Sequence, residues 1–101
     1  MSIGDLVGIA ADFRRDVELG VQILKDGGVR EVYVLGSVAE GRAHPESDID
    51  FAVRGCPPDR FFKLQGRLLR ELSRSADLID LDVDPDLAEF LGRESKMVHV
   101  G

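Results

Sequence analysis

Residues 48–54 alternate strictly enough to fix a local structure. Ile49, Phe51 and Val53 are apolar and fall on one side of an extended chain, while Asp48 and Asp50 fall on the other. A period of two is the pattern of a half-buried strand. It also puts two carboxylates on one face, a few ångströms apart. Isolated like charges that close repel and cost stability unless a cation sits between them. The bland alternative is a strand face that water solvates. Any fold this chain adopts has to accommodate that pair.

The flanking sequence supplies the partners for such a strand. Over residues 4–25, Leu6, Ala10, Phe13, Val17, Val21 and Leu24 recur at steps of three and four and predict an amphipathic helix. Gly27 and Gly28 stop it. Val7, Leu19 and Ile23 lie partly off that stripe, either as the margin of the core or as a surface for another chain. Val32, Tyr33, Val34 and Leu35 form a short unbroken apolar run, as expected of a strand covered on both faces. Turn formers fill residues 36–47. Pro57 and Pro58 introduce a second helix over residues 59–73 that buries Phe61, Leu64, Leu68, Leu69 and Leu72, leaving Arg67, Arg70 and Arg74 on its wet face. A third strand follows over 77–83, with Ile79, Leu81 and Val83 on one side. Asp84 and Pro85 read as an N-cap and first helical position of a short helix ending near Gly92. Residues 97–100 add an edge strand. The fold class is α/β (α+β), a small mixed sheet backed by helices.

Bulk properties narrow the partners. The 101 residues accommodate one compact domain, read here as residues 1–101, with an ordinary apolar fraction of 44%. Nineteen acidic against 13 basic residues give a net charge of −6. That lacks the basic footprint of a protein that grips duplex nucleic acid and suits one that collects cations. No run approaches the roughly 20 apolar residues that cross a bilayer, and the order of a signal peptide is missing, so the expectation is a cytoplasmic protein with no membrane contact. Cys56 is the sole cysteine, which rules out an internal disulfide and a thiolate metal cluster. His44 and His99 have no histidine or cysteine partner at metal spacing and are read as structural or solvent-facing.

The chemistry is concentrated in the segment Leu35-Gly36-Ser37-Val38-Ala39-Glu40-Gly41-Arg42, continuing through Ala43-His44-Pro45-Glu46-Ser47 into Asp48-Ile49-Asp50-Phe51. Mg²⁺ suits the aspartate pair because it takes hard oxygen ligands and keeps positions for water and substrate phosphates. Glycines at 36 and 41 keep the loop low, so that backbone N–H groups and the Ser37 hydroxyl can approach phosphate oxygens. A third carboxylate would complete a two-metal site, with ions roughly 3.5–4 Å apart. The third strand offers Asp77, Asp80, Asp82 and Asp84; alternation alone leans toward Asp80. Two competing motifs fail. Asp80-x-Asp82-x-Asp84 has Pro85 where a calcium loop requires glycine, and the loop from Gly36 to Gly41 lacks the lysine and hydroxyl residue of a P-loop. Ser37 has no evident base beside it, which argues against a nucleophilic serine.

The spacing Gly36-Ser37, ten residues, then Asp48-Ile49-Asp50, with Ser47 before the first aspartate, resembles the signature of the DNA polymerase beta nucleotidyltransferase superfamily, in particular its minimal, antitoxin-type members. Ala76-Asp77-Leu78-Ile79-Asp80-Leu81 is similar to that family's third-strand segment, and Lys96-Met97-Val98-His99-Val100 to its terminal strand. The resemblance covers about residues 30–101. It implies a polymerase beta-like fold, Asp48, Asp50 and Asp77 as metal ligands for Mg²⁺ (two ions), Gly36 and Ser37 on the nucleotide's phosphates, and ATP as donor. It thus points to Asp77 where alternation leans to Asp80, and it implies that Asp77 also serves as base for the acceptor. Such members pair with an α-helical HEPN-type toxin, which they neutralise by attaching AMP or by binding alone. One departure stands out. Many members carry arginines between the serine and the second glycine, whereas this chain has Val38 and Glu40, leaving Arg42 as the nearby basic group. Pure binding without catalysis is the alternative that this departure favours; transfer to a small molecule is a weaker one.

Overall fold

The computed structural model describes residues 11–39, 41, 47–94 and 96–101. The expected first helix, α1, runs over Ala11–Asp26; Leu6, Val7 and Ala10 lie outside the described residues. Phe13, Val17, Val21 and Leu24 are buried as their spacing requires. Ile23 is buried with them and Leu19 packs against the same cluster, so both belong to the core rather than to a free surface. Gly28 adopts φ 95°, and its N–H donates to the Lys25 carbonyl. A left-handed glycine closes the helix without the penalty a Cβ would bring.

Four strands form one sheet: β1 (Glu31–Leu35), β2 (Ile49–Arg54), β3 (Ala76–Asp80) and β4 (Met97–His99). Their order is β3-β2-β1-β4. β1 runs antiparallel to both β2 and β4, and β2 runs parallel to β3. A short helix α2 (Gly36–Ala39) follows β1, a 3₁₀ turn over Pro58–Arg60 leads into α3 (Phe61–Glu71), and α4 (Pro85–Glu94) precedes β4. The expected mixed sheet backed by helices is the architecture that forms.

The sheet has two unequal faces. Val32 and Val34, Ile49, Phe51 and Val53, and Ala76 and Leu78 join α1 and α3 in the main core. A smaller cluster on the other side sets Leu35 of β1, Ala52 of β2 and Leu81 against Ala88 of α4, with Tyr33, Ile79, Leu91 and Met97 around it. The apolar run of β1 is therefore covered on both faces, as its composition requires.

Several sequence expectations are corrected. β3 ends at Asp80 rather than 83, and residues 81–83 form a turn in which Val83 is 78% exposed. Its main-core face is Ala76 and Leu78, not the side of Ile79; with apolar residues on both sides of the strand, alternation does not reveal which side meets the helices. Leu69 is exposed, because α3 presents Leu64 and Leu68, one turn apart, to the core. The last helix passes Gly92 and ends at Glu94, while Asp84 caps its start by accepting a hydrogen bond from the Leu87 N–H at 3.1 Å. Arg67 does sit on the wet face of α3, bound to Glu71 at 2.8 Å. Arg74 does not. Its guanidinium stacks 4.1 Å over the Phe13 ring and lies 3.7 Å from the buried Asp16 carboxylate. Asp16 also accepts from the Ser73 hydroxyl at 2.5 Å and its N–H at 3.2 Å. That network ties α1 to the α3–β3 connection. Among the described residues, no helix is long and apolar enough to cross a membrane.

Candidate functional site

β1 hands the chain to the site through a glycine. After Leu35 the backbone turns at Gly36 with φ 75°, a conformation that costs a residue with a Cβ on the order of 1–2 kcal/mol. A Cβ there would also lie 2.8 Å from Oδ2 of Asp50. Gly36 is thus required twice, for the turn into α2 and for the approach of the carboxylate to the main chain.

The register assembles the rest. Leu35 pairs with Asp50, and Asp50 with Asp77. One row across the sheet therefore carries both aspartates on the same face, since paired residues on neighbouring strands project together. Asp48 stands just before β2 and is exposed, as is Asp77, whereas Asp50 is half-buried. Burial is the main cause that pushes the Asp50 carboxyl above its ordinary value, and the charges of Asp77 and Asp48 add to it. No hydrogen bond or ion pair offsets this among the described residues. The row places like charges near one another on one face of the sheet. Among the described residues no three metal-ligating side chains are gathered closely enough to hold an ion.

Asp80 is elsewhere. It pairs with Val53 and shares the parity of Leu78, which puts it on the opposite face and three residues along, about 10 Å from Asp77. Its Oδ1 accepts the Asp82 N–H at 2.9 Å. Asp82 in turn receives the Gly55 N–H at 2.7 Å and lies 3.6 Å from Arg54. The later acids of this run hold the β3–α4 turn together. Where alternation leans toward Asp80, the pairing of the strands sets Asp77 beside Asp50 and Asp80 on the other face.

The loop carries a second clarification. Val38 and Ala39 are fully buried in the main core, so the side chain at position 38 serves packing and faces no ligand. Glu40, Arg42 and His44 lie outside the described residues. Leu35 and Met97, register partners on β1 and β4, form an apolar floor beside Asp50 that sequence reading missed; no local signal marks a pairing between distant segments. His99 is solvent-facing and packs on a neighbouring ring. The His99 ring stacks on Tyr33 with centroids 4.9 Å apart, and Tyr33 donates to Glu31 at 2.6 Å, which holds the Glu31 carboxyl below its usual value. Cys56 is buried, and that burial pushes its thiol up.

Comparison with known proteins agrees with this fold. Residues 21–99 match the family described as polymerase beta, nucleotidyltransferase. No curated protein matches the chain. A solved toxin–antitoxin complex with AMP-PNP is similar at a TM-score of 0.64 and 25% identity, over 81% of this chain and 70% of that one. A complex of tri-AMPylated Shewanella oneidensis HEPN toxin with its MNT antitoxin is similar at a TM-score of 0.61 and 21% identity, over 83% of this chain and 69% of that one.

Proposed function

The chain belongs to the polymerase beta nucleotidyltransferase family, and from that premise we propose that it transfers AMP from ATP to a protein, a HEPN-type α-helical toxin, and is the cytoplasmic antitoxin of that pair. The observation that carries this reading is the row Leu35–Asp50–Asp77 with Gly36 against the Asp50 carboxylate. The AMP-PNP bound to one similar structure and the AMP groups on the toxin of another support the donor and the acceptor.

Each residue has a defined task. Asp48, Asp50 and Asp77 are the residues that would hold Mg²⁺, two ions in all. The main chain at Gly36 and Ser37, with the Ser37 hydroxyl, receives the triphosphate, and Arg42 supplies the positive charge that Val38 and Glu40 do not. Mg²⁺ held there would supply neutralisation of the charge on the triphosphate. Asp77 accepts the proton of the acceptor hydroxyl as its oxygen bonds to the α-phosphorus; the bond from that phosphorus to the bridging oxygen breaks, and pyrophosphate leaves. Positioning and charge neutralisation account for most of such a rate enhancement.

Incubating the chain with the helical protein encoded beside it, Mg²⁺ and ATP labelled at the α-phosphate tests the reading. Label passes to the partner with the native chain and not with Asp50→Asn. A stable complex without label refutes catalysis and favours the second reading, neutralisation by binding alone. Val38 and Glu40, at loop positions where many members carry arginines, are the observation on its side.

A further inference from the structure

An apolar groove of about 420 Å³ straddles the open edge of β3, between the start of α3 and the start of α4. Phe62 and Val83 line it while being 83% and 78% exposed, and Leu87 and Ile79 extend its floor. Phe62 is propped upright by an edge-on contact with Phe61, ring centroids 5.4 Å apart. Large apolar side chains concentrated on one surface mark a place that another molecule covers.

The rim identifies the occupant by charge. Asp80 and Asp84 line the groove and no lysine, arginine or histidine does. The adjoining Asp86 is exposed, whereas Asp82 pairs with Arg54 and Asp59 lines a separate cleft with Arg60 and Lys63. A second copy of this chain is a poor fit, because a two-fold contact brings the same patch to itself and would oppose these carboxylates. Anionic lipid is disfavoured for the same reason. We propose that this groove seats a helix of the partner protein whose apolar stripe is flanked by lysines or arginines, read as anchors at i, i+3 or i+4, and i+7. The inference rests on the proposed function for the existence of a protein partner and adds where and by what chemistry it docks. Position supports it: Ile79 lies two residues beyond Asp77 on the same sheet face, about 7 Å away. A partner held there has its surface beside the carboxylates that would act on it.

Titration calorimetry of the full chain against the helical protein encoded beside it tests the groove. Phe62→Asp and Val83→Asp are expected to weaken binding by about tenfold or more, the loss typical of an anchoring apolar contact. Both side chains are exposed, so melting temperatures should stay within a few degrees of native. Leu69→Asp, at a solvent-facing position of α3 outside the groove, should bind as native. Asp84→Asn keeps the helix cap, since asparagine caps as well as aspartate, and should weaken binding roughly twofold at low salt with the difference gone near 0.5 M salt. Native-like binding by both groove variants overturns the groove while leaving the antitoxin reading intact, as does an equal loss in Leu69→Asp. No binding by the native chain overturns both.

Discussion

Phe51 and Asp50 are neighbours on β2 and belong to two different environments. Phe51 is fully buried under α1, where Gly20 leaves room for its ring: a Cβ at position 20 would lie 2.4 Å from the ring's Cζ. Asp50 points the other way and loses solvent without gaining a partner among the described residues. One side of the sheet is filled to the density of a protein interior, with the helix giving way to the ring. The other side keeps a carboxylate under like-charge pressure. The contrast separates two demands on one strand: the helix-covered face holds the fold, and the row at the end of β1 carries like charges at some cost to it. Energy stored this way is common at functional sites.

The largest effect should come from the filled face. Phe51→Ala leaves a cavity under α1 and is expected to cost about 3–5 kcal/mol in urea unfolding. A loss under 1 kcal/mol would mean that the ring is not the keystone its burial indicates. Next comes the hinge between the two regions. Gly36→Ala places a Cβ in a left-handed backbone and against Asp50, with an expected loss of roughly 2 kcal/mol and of AMP transfer. Retained transfer would show that Asp50 can move away without consequence.

The opposite face should respond with the opposite sign. Because the Asp50 carboxyl is raised, its charged form is the disfavoured one in the folded state. The resulting cost is present above the raised value and fades as pH falls through it. Asp50→Asn is therefore expected to raise the melting temperature at pH 7 while abolishing transfer, and its advantage should shrink as the solution is acidified. Equal melting temperatures across that range would remove the charge-pressure argument. The smallest effect belongs to Asp80→Asn. Its oxygen can still accept the Asp82 N–H, so stability should stay within about 0.5 kcal/mol. Thermal stabilisation by Mg²⁺ should persist in it and vanish in Asp77→Asn. The reverse result would return the third carboxylate to Asp80.

Much of this was legible in the chain before any coordinates. Strict alternation over residues 48–54 determined a strand with its aspartates on one face and its apolar residues on the other, because a two-residue period has one structural solution. The stripe of α1, the Asp84 cap and the glycine at 36 were equally local, each fixed by backbone geometry within a few residues. Leu69 was misread because neighbouring leucines on a helix do not say which of them meets the core. Asp16, buried and bound to Ser73 and Arg74, was invisible because Ser73 lies 57 residues away and Arg74 one further. The third carboxylate shows the same boundary. With apolar residues on both sides of β3, pattern could not say which side faced Asp50, and the resemblance pointed to Asp77 without a physical reason. The parallel register sets Asp50 opposite Asp77 and puts Asp80 on the other face. Periodicity determines what each segment becomes and which residues share a side. Which sides meet is decided by strand pairing and helix cover, and those depend on contacts between segments far apart in the chain.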